Sequence, residues 1–159
     1  MAYQYGGARW SGSWPNVPVD PSGLLVTAWV NTAKIAMSDW NAAGAKFSFS
    51  NQQPANNTMY YYYQASDVLA VATVYKSFWS GNVTKAKIGV NNRHNFNPPY
   101  ASGTYFDLRS VLRHELGHWL TLNHSTDRSA VMYQSFGSGE VRGIGTDDRN
   151  GIRSIYGVR

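Results

Sequence analysis

Residues 114–124 read HELGHWLTLNH. The 159-residue chain holds four histidines and two glutamates, and this stretch alone takes three of the histidines, His114, His118 and His124, and one glutamate, Glu115. In a chain this poor in both residue types, chance produces that spacing only about a few times in a hundred thousand. On a helix, His114 and His118 project from one face a turn apart and can grip one ion. A continuing helix would carry His124 roughly 9 Å past His118, pointing elsewhere. The helix therefore has to break near residue 120 and the chain has to turn back, so that three imidazoles leave one tetrahedral position open. Glu115 sits about 100° around the helix from His114, off the ligand axis but able to reach a metal-bound water and act as its base.

The surrounding chain restricts what such a centre can be. With 43% apolar and 14% aromatic residues, one domain with a substantial core is expected. Without cysteine there is neither disulfide nor thiolate ligand, so a transition metal must rely on imidazole and carboxylate. No apolar run approaches the roughly 18 residues of a membrane span, and Met1-Ala2-Tyr3-Gln4 opens no leader pattern. The net charge of +5 is spread along the chain, which reads as a basic surface rather than a nucleic-acid site.

Periodicity divides the chain. Asp20-Pro21 reads as N-cap and first helical residue, and Trp29, Ala33, Ala36, Met37 and Trp40 recur at helical spacing, predicting a helix over 21–43, stopped by Gly44, whose tryptophan stripe packs on a sheet. Short strands follow: Phe47 and Phe49, Met59 to Tyr63, Leu69 to Tyr75 and Lys85 to Asn91. The run Tyr60 to Tyr63 reads as strand residues pointing alternately in and out, rather than as a stacking platform. Residues 91–105 read as a loop in which His94 is a solvated side chain. Asp107 caps a second helix with Leu108, Val111, Leu112, Leu116, Trp119 and Leu120 on its buried face, and Thr146 caps a third that runs to Gly157.

His114 to His124, followed by Ser125 and by Ser129-Ala130-Val131-Met132-Tyr133, resembles the metzincin zinc-peptidase signature with its methionine turn, in the matrixin variant. Asp107-Leu108-Arg109-Ser110-Val111 before it and Asp147-Asp148-Arg149-Asn150-Gly151-Ile152 after it extend the likeness to bacterial matrixin-like peptidases. The resemblance implies an α+β fold in a single catalytic domain over 1–159, two-lobed (about 1–120 and 121–159), with three helices and a twisted, mostly parallel sheet carrying an antiparallel edge strand. It implies one catalytic zinc on His114, His118 and His124, with calcium undecided, Glu115 as the catalytic residue, and Met132 as an apolar base beneath the metal. It implies substrate contacts at the edge strand, through Lys87, Ile88, Gly89 and Val90, and at a pocket wall formed by Tyr133, Gln134, Ser135 and Phe136. The activity so implied is that of a secreted, extracellular zinc metalloprotease, a monomeric endopeptidase acting on protein or peptide, with no nucleic-acid or membrane partner. The competing reading is a zinc-stabilised binding module for glycan or protein.

Two departures stand out. Thr121 occupies the family's glycine at the turn into the third ligand, where a β-branched residue at positive φ costs roughly 1–2 kcal/mol, so either Thr121 is strained or the turn differs. Gln134 and Phe136 replace a proline and a tyrosine common in the pocket wall.

Overall fold

Val17, Val19 and Pro21 are buried at every second position, the periodicity of a strand with one face inward. In the computed structural model, which describes residues 2–99 and 103–159, that strand is β2 (Asn16–Gly23). It follows a short β1 (Gln4–Tyr5) and precedes α1 (Thr27–Asn41), β3 (Ser48–Asn51), β4 (Asn57–Tyr62), β5 (Ala70–Lys76) and β6 (Val83–Asn91). Then come β7 (Phe96–Asn97), β8 (Phe106–Asp107), α2 (Leu108–Trp119), β9 (Leu122–Asn123) and α3 (Thr146–Tyr156). The main sheet has the order β3-β2-β4-β6-β5; the first four strands are parallel and β5 closes one edge antiparallel to β6. This is the expected α+β architecture, with a mostly parallel sheet, an antiparallel edge and three helices.

The first helix begins six residues later than expected. Asp20-Pro21 lies in β2, and the Asp20 carboxylate accepts from the Ser22 amide at 2.9 Å, a local turn that imitates a helix cap. The helical stripe itself is as read: Trp29, Ala33, Ala36, Met37 and Trp40 are all buried. Its tryptophans reach past the sheet, however, since Trp40 Nε1 donates to the Arg113 carbonyl of α2 at 2.8 Å and Trp29 Nε1 to that of Pro98 at 3.0 Å. At the third helix the cap is Gly145 rather than Thr146, and Asp148 Oδ2 accepts from the Gly145 amide at 2.7 Å.

The assignment of the free edge to Lys85–Asn91 is corrected. β6 pairs with β4 on one side (Lys87↔Thr58, Val90↔Tyr61) and with β5 on the other (Val90↔Ala70, Ile88↔Ala72). The backbones of Lys87, Ile88, Gly89 and Val90 are therefore committed to the sheet. On the outer face Gly89 lies beneath two tyrosines, where an added Cβ would come within 2.9 Å of Tyr62 Cδ1 and 3.0 Å of Tyr60 Oη. The edge at β6 was what the resemblance implied, and the alternation along that strand records only which face meets water, not which strand lies alongside. β5 is the edge.

An ion-pair cluster pins α1 to α2. Asp39 accepts from Arg109 Nη2 at 2.7 Å and from Arg113 Nε at 2.8 Å. Burial alone would raise the Asp39 pKa, but the two guanidinium bonds outweigh it and hold the carboxyl below 3.8. The cluster's contribution is therefore full above the unfolded value and is lost as pH falls through the lower folded one. Asp39→Asn is expected to lower the urea midpoint near neutral pH, with the gap from wild type closing as the titration descends through the carboxylate range.

Candidate active site

The helix that carries the first two histidines is set by its start. Asp107 accepts from the Ser110 amide at 2.9 Å as N-cap, and ten of the twelve residues of α2 are buried. Gly117 faces the Met132 side chain so closely that a Cβ there would overlap its sulfur and come within 3.1 Å of Trp40. Only a residue without a side chain admits that approach.

The helix stops at Trp119 and the chain reverses through Thr121, whose φ is +67°. The strained alternative thus holds, and the N-terminal segment secures it. The Thr121 hydroxyl donates to the Ala8 carbonyl, the Gly6 amide donates to the Thr121 carbonyl at 2.7 Å, and Trp10 Nε1 donates to the Trp119 carbonyl at 2.8 Å. At about 1 kcal/mol each, these bonds offset the roughly 1–2 kcal/mol cost of the left-handed threonine.

The turn delivers His124 to the other two rings. The three histidines each offer a ligand atom, all within 4.8 Å of one another. His114 Nδ1 donates to the Val131 carbonyl at 2.7 Å and His118 Nδ1 to the Leu122 carbonyl at 2.8 Å. A carbonyl oxygen only accepts, so these bonds fix the protons on Nδ1 and leave Nε2 as a bare lone pair on both rings. The two Nε2 atoms lie 3.1 Å apart, an unfavourable approach of two acceptors unless a cation lies between them. Two imidazoles on one tetrahedral zinc would stand about 3.3 Å apart, so the donor set fits that metal. Burial first, and then the neighbouring His118, holds the His114 pKa down to about 3, and burial lowers that of His118 as well. Both rings are thereby kept neutral and able to ligate.

Glu115 is 8% exposed, and its carboxylate accepts the Ala72 amide of the edge strand. Burial raises its pKa to about 7, against the lowering effect of that amide bond, and a carboxylate poised there takes and returns protons near neutral pH. Both Glu115 and the histidines open onto a cleft of about 640 Å³, bounded above by Leu69 to Ala72 and on the far side by Gln134, Ser135 and Phe136. Tyr133, expected with them, instead lies with its ring 5.2 Å from the Arg142 guanidinium.

Met132 is buried below α2, and its carbonyl accepts from the Ser125 amide at 2.9 Å, so the methionine turn and the third-ligand loop are joined. Several contributors were not legible beforehand. Asp148 accepts from the amides of Val131 and Met132 at 2.9 and 3.2 Å. Arg142 stacks 4.7 Å from the Phe136 ring, fixing the pocket wall. Ala72 meets Glu115, and its position on a Val/Ala-rich run that alternates in exposure was the available signal. His94 is half-buried rather than solvated, with Nε2 3.0 Å from the Ser66 carbonyl.

A family model described as matrixin matches residues 25–157. Metalloendoproteinase 1 of Glycine max is 39% identical over 84 residues, which cover 51% of this chain and 23% of that protein. Matrilysin of Homo sapiens is 46% identical over 48 residues, 29% of this chain and 18% of its own. A putative matrix metalloproteinase of Trichoplusia ni ascovirus 2c is 28% identical over 144 residues, 80% of this chain and 28% of its own. The chain thus spans less than a third of the length of each of these relatives.

Proposed function

The chain belongs to the matrixin family, and from that premise we propose that it is a zinc-dependent endopeptidase that cleaves peptide bonds in extended polypeptides, with Glu115 moving the proton. The observation that carries this reading is the convergence of His114, His118 and His124 at one cleft with the Glu115 carboxylate. The three imidazoles would hold one zinc ion, through Nε2 at His114 and His118. When bound, the metal supplies Lewis acidity, which polarises the scissile carbonyl and brings the pKa of water down toward about 7.

The protein's own groups do the rest. A carboxylate oxygen of Glu115 accepts the proton of the attacking water and passes it to the departing amine. The free edge of β5 pairs with substrate backbone as an added antiparallel strand, replacing the contacts once expected of β6. Gln134, Ser135 and Phe136 receive the side chain that follows the cleaved bond, and Arg142 keeps the phenyl ring in place. Met132 packs against Gly117 and keeps the ligand helix at a fixed height. Extracellular, monomeric action belongs to the same reading. The binding-module alternative takes Thr121 as a mark of lost catalysis and the aromatic strands as a holding surface, and Thr121 makes the ligand turn in spite of its side chain, which removes the first of these grounds.

Casein digestion is the test. Proteolysis is expected to cease when phenanthroline removes metal and to return when zinc is restored. Digestion that persists without metal, or fails with zinc present, would overturn the reading.

A further inference from the structure

The turn between β5 and β6 carries the most exposed large apolar side chains of the described residues: Phe78 is 92% and Trp79 93% exposed. The rings stand edge to face, 5.3 Å apart. Their turn is tightly tied, the Ser77 amide donating to the Asn82 carbonyl at 2.8 Å and the Gly81 amide to the Ser77 carbonyl at 2.9 Å. Among the described residues no element packs over this pair, and solvent exposure of about its whole apolar surface is unfavourable without a partner.

Its position gives the partner. β5 leaves the histidine cleft at Ala72 and runs along a second cavity of about 360 Å³, which it lines with Ala72, Val74 and Lys76 opposite His118, Leu122 and Asn123. Four further strand residues carry β5 from Ala72 to Lys76, roughly 13 Å at 3.3 Å each, and Ser77 leads from there into the turn, so the aromatic tip stands at the end of the same edge. The hairpin that carries the tip is one-signed: β5, the turn and β6, residues 70–91, contain Lys76, Lys85 and Lys87 and no Asp or Glu. We infer that Phe78 and Trp79 form a distal docking point for the amino-terminal arm of an extended polypeptide substrate, an arm that carries apolar and acidic residues. The inference rests on the peptidase reading. A strand added antiparallel to β5 runs from the tip toward Phe136, which places the residues ahead of the cleaved bond over Lys76 and then against the exposed faces of the paired rings. Apolar contact with the rings adds affinity, and the lysines select the sign of the arm's charge.

The test compares two fluorogenic peptides that share one casein-derived cleavage sequence. The short one spans the cleft; the long one adds an amino-terminal arm of Leu, Phe and Glu. For the zinc-loaded wild type, kcat/KM is expected to be about tenfold higher on the long peptide, while Phe78→Ser/Trp79→Ser erases that gain and cuts the short peptide normally. In a second arm, fluorescence anisotropy of the labelled long peptide on the zinc-loaded Glu115→Gln protein should show about tenfold weaker binding once the tip is replaced. Equal rates on both peptides in the wild type, or a gain that survives the double substitution, would overturn the inference. So would tip-dependent retention on vesicles of phosphatidylcholine and phosphatidylserine with no tip-dependent peptide binding, which would reassign the rings to lipid. Failure of the wild type to cut either peptide counts against the peptidase reading instead, and the anisotropy arm then decides the docking point by itself.

Discussion

Glu115→Gln is expected to bind zinc as the wild type does and to digest casein about a hundred- to ten-thousandfold more slowly. The ligand set explains the first half. His114, His118 and His124 owe their orientation to the carbonyls of Val131 and Leu122 and to the turn at Thr121, none of which involves the Glu115 side chain. The second half follows from chemistry: glutamine keeps the shape and can still meet the Ala72 backbone, but it has no oxygen basic enough to take a proton from water. Burial has raised the carboxyl to about 7, so the exchange removes a group matched to neutral pH, not a spectator. Zinc content by atomic absorption and casein turnover, measured on one preparation, check both halves. Unchanged turnover would show that some other base serves, whereas loss of zinc would show that Glu115 is structural.

What could be read in advance follows a physical division between local and non-local causes. The second helix was legible because Asp107, the helical period of Leu108, Val111 and Leu112, and the histidine spacing all act within a turn or two of one another. The need for a chain reversal before His124 was legible as well, since geometry forbids a straight helix from bringing three rings together. The first helix's start was misread because the Asp20 side chain closes a turn on Ser22, and a cap and such a turn share the same residues. The free edge was misplaced because it was carried over from the resemblance, and only the whole sheet decides which strand is flanked on both sides. Arg142 was illegible for the same reason: nothing near it in sequence announces that its guanidinium will lie over Phe136. The pieces of the site fixed by a single element were thus open to reading, and the supports brought in from other elements were not.

Asp148 is the support whose loss should cost most. It stands in the first turn of α3, yet it is fully buried and accepts from three amides, those of Gly145 at 2.7 Å, Val131 at 2.9 Å and Met132 at 3.2 Å. One side chain therefore ties the start of α3 to the methionine turn, and the carbonyl of Val131 in turn orients His114. Burial raises the carboxyl's pKa while the three amides pull against it, so the group is retained in spite of its desolvation. Asp148→Ala leaves two buried donors and one part-buried donor without their acceptor, a loss of about 3–5 kcal/mol. At about 2–4 °C per kcal/mol for a chain of this size, thermal unfolding should fall by roughly 6–20 °C. Zinc affinity should fall with it by about 10- to 100-fold, the range expected when a ligand's supporting partner is disturbed. Asp148→Asn, which keeps one acceptor oxygen, should lie between the two proteins in both measurements. A melting temperature and a zinc titration that match wild type in the alanine variant would show that the turn holds its shape unaided. A melting temperature that falls while zinc affinity stays unchanged would separate the stability of α3 from the orientation of His114.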